Sequence, residues 1–227
     1  MQLVIFDCDG TLVDSQNGIV AAMEHAYGAE GLAAPSRAAV LSIVGLSLPE
    51  AFRALARDHA PSVQRRLAEH YRGAFKVIRA DPAHHDPLYD GAAAAIAALA
   101  ARDDVVLGIA TGLPRRGVDR LLGRHGWGAQ FITIQTADDN PSKPHPAMLE
   151  RACAEAGVEP HAAVMIGDTA FDMAMAVNAG VGAVGVAWGY HSVAELENAG
   201  ADVVVPDYAR LIRAIDARLA AQRGARP

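Results

Sequence analysis

The stretch that decides the fold is VIFDCDGTLVDS, residues 4–15, in which an apolar run leads straight into two carboxylates. Residues 2–6 are predicted to form a short buried strand that ends at Asp7. In an extended segment alternate side chains share a side, so Asp7 and Asp9 point one way while Cys8 points into the core. Two like charges about 4 Å apart cost roughly 4 kcal/mol at an effective dielectric constant of 20, so the pair predicts a cation nearby.

The composition describes an acidic protein that can bury a large core. Of its 227 residues 52% are hydrophobic, and the net charge of −6 argues against a nucleic-acid partner, which calls for a basic surface. Cys8 and Cys153 form neither a disulfide framework nor a zinc spacing, which predicts a reduced, cytoplasmic setting. The first apolar run is too short for a signal peptide, and no run is long enough to span a membrane.

The rest of the chain has two parts with different patterns of apolar residues. Residues 16–75 carry helical periods in four segments, and the Pro- and Asp-rich stretch 79–91 is typical of a linker. Beyond it, apolar strands alternate with helices, with the strands predicted at 105–110, 131–134, 162–166, 182–187 and 202–205. Such alternation is typical of a parallel sheet that is covered on both faces.

We therefore predict an α/β fold: a Rossmann-like parallel-sheet core interrupted by an all-helical cap domain. The core takes residues 1–14 and 86–227, and the inserted cap takes residues 15–85. In this arrangement every strand of the core ends at the same edge of the sheet, where ligands of open α/β sheets bind.

Three predicted strands end in polar residues that could carry chemistry. The residues at these ends are Asp7 and Asp9, Thr111 and Gly112, and Gly167 and Asp168, with Asp172 four positions further on. Lys143, in PSKPHP, precedes a helix at the same edge, so we expect all of these side chains to meet. Two of these residues also have a purely structural interpretation. Thr111 could be a plain helix cap, and Asp172 could be an acid of a first helical turn.

The carboxylate cluster favours a particular cation. Oxygen ligands without His or Cys select a hard ion, and a few carboxylates with waters and a phosphate suit Mg²⁺. The chain has eighteen arginines but two lysines, Lys76 and Lys143. A lysine kept between two prolines at position 143 indicates that a compact point charge is needed there. Lys76 is expected to face solvent.

The sequence DCDGT at 7–11 resembles the nucleophile motif DxDGT of the haloacid dehalogenase superfamily. Thr111, Lys143 and GDTAFD at 167–172 are similar to its second, third and fourth motifs, in the same order. The helical insert after the first motif is similar to the family's C1 cap. The resemblance implies a hydrolase of phosphate esters in which Asp7 attacks phosphorus and forms an aspartyl-phosphate, while Asp9 acts as acid and then as base.

The resemblance also implies roles for the remaining motif residues. Mg²⁺ would be bound by Asp7, the backbone carbonyl of Asp9, Asp168 and Asp172, and phosphoryl oxygens would be bound by Thr111, Gly112 and Lys143, with Gly10 in a tight turn beside them. The family often has Asn after the second-motif Thr, so the contact from that side chain is absent at Gly112. In the cap, GLSLPEAFR at 45–53 is similar to the loop that closes over the site, which makes Gly45, Ser47 and Arg53 candidates for substrate binding.

The substrate implied by the resemblance is a small phosphorylated metabolite. The whole-chain pattern most resembles phosphoglycolate phosphatases, whereas pyrophosphatase, sugar phosphatase and nucleotidase activities stay open as alternatives. Ile19 stands where the family's β-phosphoglucomutases carry a histidine, which argues against that branch. A member that binds phosphate without turnover is a further alternative, and the intact Asp9 argues against it. The oligomeric state is left open.

Overall fold

The computed structural model describes residues 1–81 and 86–224, and the side chains of these residues except 221–224. Within these ranges six parallel strands form one sheet: β1 (Gln2–Phe6), β2 (Val105–Ala110), β3 (Phe131–Gln135), β4 (Ala163–Gly167), β5 (Gly182–Val186) and β6 (Val203–Val205). Their order across the sheet is β3-β2-β1-β4-β5-β6. The first strand therefore lies in the middle, and the chain order reverses beside it, which is where open α/β sheets bind ligands.

Between β1 and β2 lies the helical insert. Its helices are α1 (Gln16–Ala29), α2 (Arg37–Leu41), α3 (Leu48–Leu55) and α4 (Pro61–Ala80). They pack around their own apolar cluster, in which Tyr27, Phe52, Tyr71 and Phe75 follow one another with ring centroids 5.3–6.5 Å apart. The insert thus has an apolar core of its own, against which Tyr190 from beyond β5 also packs.

The remaining helices cover the sheet. They are α5 (Ala92–Ala100), α6 (Arg115–His125), α7 (Ala147–Ala156), α8 (Ala170–Ala179), α9 (Val193–Asn198) and α10 (Tyr208–Gly224), with a 3₁₀ turn at Pro160–Ala162. Along β1, Val4 and Phe6 join one apolar cluster while Leu3 and Ile5 join the other. Both faces of the sheet are thus buried, which explains why its strands are nearly continuous apolar runs.

The predicted α/β class with a parallel core and a helical insert is confirmed. Every predicted strand lies within one residue of its observed bounds, and α4 is longer than predicted because its apolar period continues to Ile78. Helix α9 was not predicted, since six residues give too short a pattern. Of the linker predicted at 79–91, Arg79 and Ala80 belong to α4, and residues 82–85, with the boundary at 85, lie outside the described residues. No helix in the described ranges is long and apolar enough to cross a membrane.

Candidate active site

Asp7 and Lys143 meet at the carboxyl edge of the sheet. The backbone N–H of Asp7 donates to the carbonyl of Ile166 at 2.9 Å, which continues the β1–β4 pairing past the end of the strand. Lys143 Nζ lies 2.9 Å from Asp7 Oδ1 and 2.6 Å from Asp172 Oδ1. All three of these charged side chains are almost completely shielded from solvent, where electrostatic interactions are strongest.

Three carboxylates converge beside Lys143. One oxygen from each of Asp7, Asp168 and Asp172 lies within 4.8 Å of the other two. Asp168 is fixed from two sides, because the Thr11 hydroxyl donates to Oδ1 at 2.8 Å and the Tyr190 N–H donates to Oδ2 at 2.9 Å.

The Asp7 oxygens are the least satisfied atoms of this cluster. Among the described residues neither has a hydrogen-bond donor, since the contact with Lys143 is an ion pair without hydrogen-bond geometry. Buried polar atoms normally have partners, so these oxygens call for a ligand. An oxygen-only donor set with such atoms fits a hard divalent cation.

Asp172 belongs to helix α8 as well as to the cluster. Its Oδ2 accepts the N–H of Thr169 at 3.1 Å and the hydroxyl of Thr169 at 2.7 Å, and Thr169 Oγ1 accepts the N–H of Asp172 at 3.3 Å. This reciprocal pair is a capping box at the start of the helix. The interpretation of Asp172 as a first-turn acid is therefore correct, and the same bonds aim its Oδ1 at Lys143.

The side chain of Asp9 contacts the helical insert and is not one of the three grouped carboxylates. Arg79 of α4 brings Nη2 to 3.6 Å from Asp9 Oδ1 and Nε to 3.1 Å from Asp86 Oδ2. The guanidinium also stacks over the ring of Phe75 at 4.3 Å. A charge carried by the insert thus reaches the second carboxylate of the DCDGT motif.

Burial dominates the electrostatics of the site. It raises the pKa of Asp7 to about 7 against the opposing effect of Lys143. Burial also raises the pKa of Asp9 and raises that of Asp168 further, where the charges of Asp7 and Asp172 add to the effect. Burial would lower the pKa of Lys143, but Asp172 and Asp7 outweigh it and hold that pKa above its usual value. The pKa values of these three carboxyl groups are thus raised first by burial, with neighbouring carboxylates adding to the effect.

Two glycines permit close approaches around the cluster. A Cβ at Gly10, where φ is +85°, would lie 2.1 Å from Asp168 Oδ2. A Cβ at Gly112 would lie 2.8 Å from the carbonyl oxygen of Gly45 in the cap loop. Gly10 therefore lets the first motif turn past Asp168, and Gly112 lets the cap loop approach the end of β2.

Thr111 is buried at the end of β2 and lines the same cavity as Asp7. Its Oγ1 accepts the N–H of Leu113 at 3.2 Å. The N-cap of α6 is Pro114, so the alternative interpretation of Thr111 as a plain helix cap is wrong. Cys8 is fully buried in the apolar core, as the alternation of side chains in this segment predicted.

A cavity of about 670 Å³ opens between the insert and the core. Asp7 and Asp9 line it, as do Gly45 and Ser47 of the predicted cap loop. The N–H of Ser47 donates to Ser142 Oγ at 2.7 Å, which ties the loop to the residue beside Lys143.

Arg53 is not brought to this cavity. It lies on the exposed side of α3 and pairs with Glu50 one turn before it. The sequence grouped Arg53 with Gly45 and Ser47 because they are neighbours in the chain. The helical rotation of α3 separates it from them, so we do not retain it as a substrate-binding residue.

Several supporting residues carry no motif. Thr11 lies within the quoted DCDGT motif. Arg79, Tyr190 and His191 lie outside every motif, and no sequence pattern predicted that they support the site. His191 Nδ1 accepts the N–H of Ala170 at 3.1 Å, and its Nε2 lies 3.2 Å from the carbonyl of Ser42 in the insert. These contacts join residues that are 21 to 149 positions apart, which no local pattern reveals.

Comparison with known proteins agrees with the motifs. A family model described as haloacid dehalogenase-like hydrolase matches residues 4–186. A probable phosphatase, IndB, from Dickeya dadantii is 32% identical over 221 residues, with 96% of this chain and 94% of that protein covered. A phosphoglycolate phosphatase from Rhodospirillum rubrum is 35% identical over 221 residues, with 92% and 88% covered.

A solved structure shares the fold over almost the whole chain. The crystal structure of a hydrolase from Pseudomonas syringae has a TM-score of 0.84 at 27% identity, with 96% of this chain and 99% of that chain covered. The family match, the two relatives and the shared fold agree with the order of the four motifs along the sequence. The chain therefore belongs to the haloacid dehalogenase-like hydrolase family, as the motifs predicted.

Proposed function

We propose that the protein is a Mg²⁺-dependent phosphatase that hydrolyses a small phosphorylated metabolite, of the phosphoglycolate type, through an aspartyl-phosphate on Asp7. Hydrolysis of phosphoric monoesters follows from the family and from relatives named phosphatase. The metal, the covalent intermediate and the substrate are the proposed parts. The observation that carries them is the buried Asp7 carboxylate, whose oxygens lack hydrogen-bond donors in the described ranges and face a cavity beside Lys143.

In the first half of the reaction an Asp7 oxygen attacks phosphorus and the bond from phosphorus to the leaving oxygen breaks. The leaving oxygen takes a proton from Asp9, which lines the same cavity. Burial raises the pKa of Asp9, which favours the protonated form that this step requires. The products of this half are the released alcohol and phosphorylated Asp7.

In the second half the same two residues return to their starting states. Asp9, now a carboxylate, takes a proton from water while the water oxygen attacks phosphorus and the bond to Asp7 breaks. Inorganic phosphate leaves, and Asp9 is again protonated. Arg79, 3.6 Å from Asp9 Oδ1, stabilises the carboxylate form that Asp9 takes between the two halves.

Charge on the transferred phosphoryl group also needs stabilisation. Lys143, the Thr111 hydroxyl and the Gly112 N–H are the groups proposed to bind its oxygens. Asp7, Asp168 and Asp172, with the Asp9 carbonyl, are the residues proposed to hold Mg²⁺, which when bound neutralises charge on the phosphoryl oxygens. Asp172 also accepts bonds from Thr169 and Lys143, so it positions that lysine as well.

The test is phosphate release with Mg²⁺ from a panel that includes 2-phosphoglycolate, inorganic pyrophosphate, sugar phosphates, nucleotides and an aryl phosphate. Asp7→Asn removes the nucleophile with little change of shape and is expected to reduce release to background. Asp58→Asn, at an exposed site on the insert, is the matched control and should keep wild-type rates. Substantial release by Asp7→Asn would overturn the covalent mechanism, and no release from any substrate by the wild type would favour a binding protein without turnover.

A further inference from the structure

The cavity above Asp7 and Asp9 has an unusual concentration of positive charge for an acidic chain. Its lining includes five cationic side chains: Arg72, Lys76 and Arg79 of α4, and Arg116 and Arg120 of α6. Apart from Asp7 and Asp9, one acidic residue lines it, Asp138, and its Oδ2 accepts the N–H of Arg115 at 2.8 Å. The chain as a whole has a net charge of −6.

The cations lie on two helices that both line the cavity. Arg72, Lys76 and Arg79 are spaced four and three residues apart, so they share one face of α4. This face extends from Arg79, which reaches Asp9, over roughly 10 Å of helix axis to Arg72. Arg116 and Arg120 are four residues apart on α6 and therefore also share a face.

Four of these five cations have no partner among the described residues. Arg79 pairs with Asp9 and Asp86, whereas Arg72, Lys76, Arg116 and Arg120 form no ion pair or hydrogen bond with any residue that the structure describes. Some other arginines in the described ranges do pair, as Arg66 with Glu30 and Arg102 with Asp104 and Asp216, and some, such as Arg65 and Arg124, do not. What distinguishes these four is that they line one cavity. Unpaired cations around a cavity attract anionic ligands and strengthen their binding.

We infer that the leaving group of the natural substrate carries its own anionic group, a carboxylate or a second phosphoryl group, which binds between the cationic faces of α4 and α6. This inference rests on the proposed phosphatase reaction and adds which leaving groups the cavity prefers. The transferred phosphoryl group lies at Asp7 and Lys143, and the distal anion lies further out, towards Arg116, Arg120, Lys76 and Arg72. A neutral leaving group of the same size leaves these cations without a partner.

Three rigid aryl esters of similar size test the inference: phenyl phosphate, 4-carboxyphenyl phosphate and 1,4-phenylene bisphosphate. For the wild type we expect a higher kcat/KM for both charged esters than for phenyl phosphate, and the better of the two tells a carboxylate from a phosphoryl group. In Arg116→Gln/Arg120→Gln and in Arg72→Gln/Lys76→Gln, the preference for the charged esters over phenyl phosphate should fall at least tenfold. The controls are Arg65→Gln on α4 and Arg124→Gln on α6, which lie outside this cavity and should keep the wild-type preference.

The possible results test the anion site and the proposed phosphatase reaction independently. If phenyl phosphate is hydrolysed as well as the charged esters, or if both double variants keep the preference, the inference is wrong and the phosphatase stands. Dissociation constants of phenylphosphonate and 4-carboxyphenylphosphonate, measured by calorimetry, make the same comparison without turnover. If no ester is hydrolysed but the charged phosphonate binds at least tenfold more tightly in the wild type alone, the proposed function fails and the anion site stands. Equal affinities would overturn the site.

Discussion

At the scale of single residues, the site depends on the position of one compact charge. Lys143 contacts Asp7 and Asp172 at 2.9 and 2.6 Å and is almost completely buried. The sequence indicated this special role because lysine is rare in this chain and arginine is common. The two short distances explain why a lysine is needed, since a compact ammonium can contact both carboxylates in a space that a planar guanidinium would overfill.

Replacement of Lys143 should therefore show whether activity needs the charge of this side chain, its compact shape, or both. Lys143→Met removes a charge that stabilises the phosphoryl group, and we expect kcat to fall roughly 100- to 1000-fold. Lys143→Arg keeps the charge, yet its larger head should displace Asp7 and lose most of the activity as well. Steady-state kinetics and urea unfolding of both variants make the comparison. An arginine variant with more than a tenth of the wild-type kcat would contradict the requirement for a compact charge.

At the scale of elements, helix α8 begins with a capping box that also positions the site. The same motif starts α9, where Ser192 and Glu195 exchange the equivalent bonds. The starts of α8 and α9 show how far such contacts can be predicted from sequence. GDTAFD was recognisable as a motif, but that Asp172 caps its own helix while reaching Lys143 depends on the observed rotamer.

The two capping boxes supply a matched experiment. Thr169→Ala and Ser192→Ala should each lower the free energy of unfolding by about 1 kcal/mol, since each removes a helix cap. Thr169→Ala should also lower kcat, because Asp172 loses the hydroxyl that fixes Oδ2, whereas Ser192→Ala should not. Urea unfolding and phosphate release measure the two effects. Equal losses of activity in both variants would show that cap stability, and not the position of Asp172, limits the reaction.

At the scale of the whole molecule, the parallel sheet was predictable and the contacts of the insert were not. Strands with both faces buried carry apolar runs that stand out in the sequence, and their polar ends fall on one edge by topology. The direction of a side chain on α4 depends on how the insert sits on the core. Lys76 is exposed, as expected, but it also lines the cavity, and Arg79 was not singled out.

Metal binding should affect the stability of the whole chain, because the proposed ligands come from β1, β4 and α8. EDTA should abolish phosphate release and Mg²⁺ should restore it. At Mg²⁺ concentrations a hundredfold above Kd, the ion should add about 2.7 kcal/mol to the free energy of unfolding, seen as a higher Tm. Asp168→Asn should lose this shift, and Asp58→Asn should keep it. Restoration by Zn²⁺ but not by Mg²⁺ would contradict the hard-cation assignment.

The carbonyl of Thr11, in the first motif, accepts hydrogen bonds from Tyr208 Oη at 2.6 Å and from Trp188 Nε1 at 3.1 Å. Thr11 and Tyr208 are 197 positions apart. At synthesis rates of 5 to 20 residues per second, a ribosome makes the second residue roughly 10 to 40 s after the first. The nucleophile is thus made well before the side chains that hold its motif in place. A growing chain acquires its chemistry only after Tyr208 has been made.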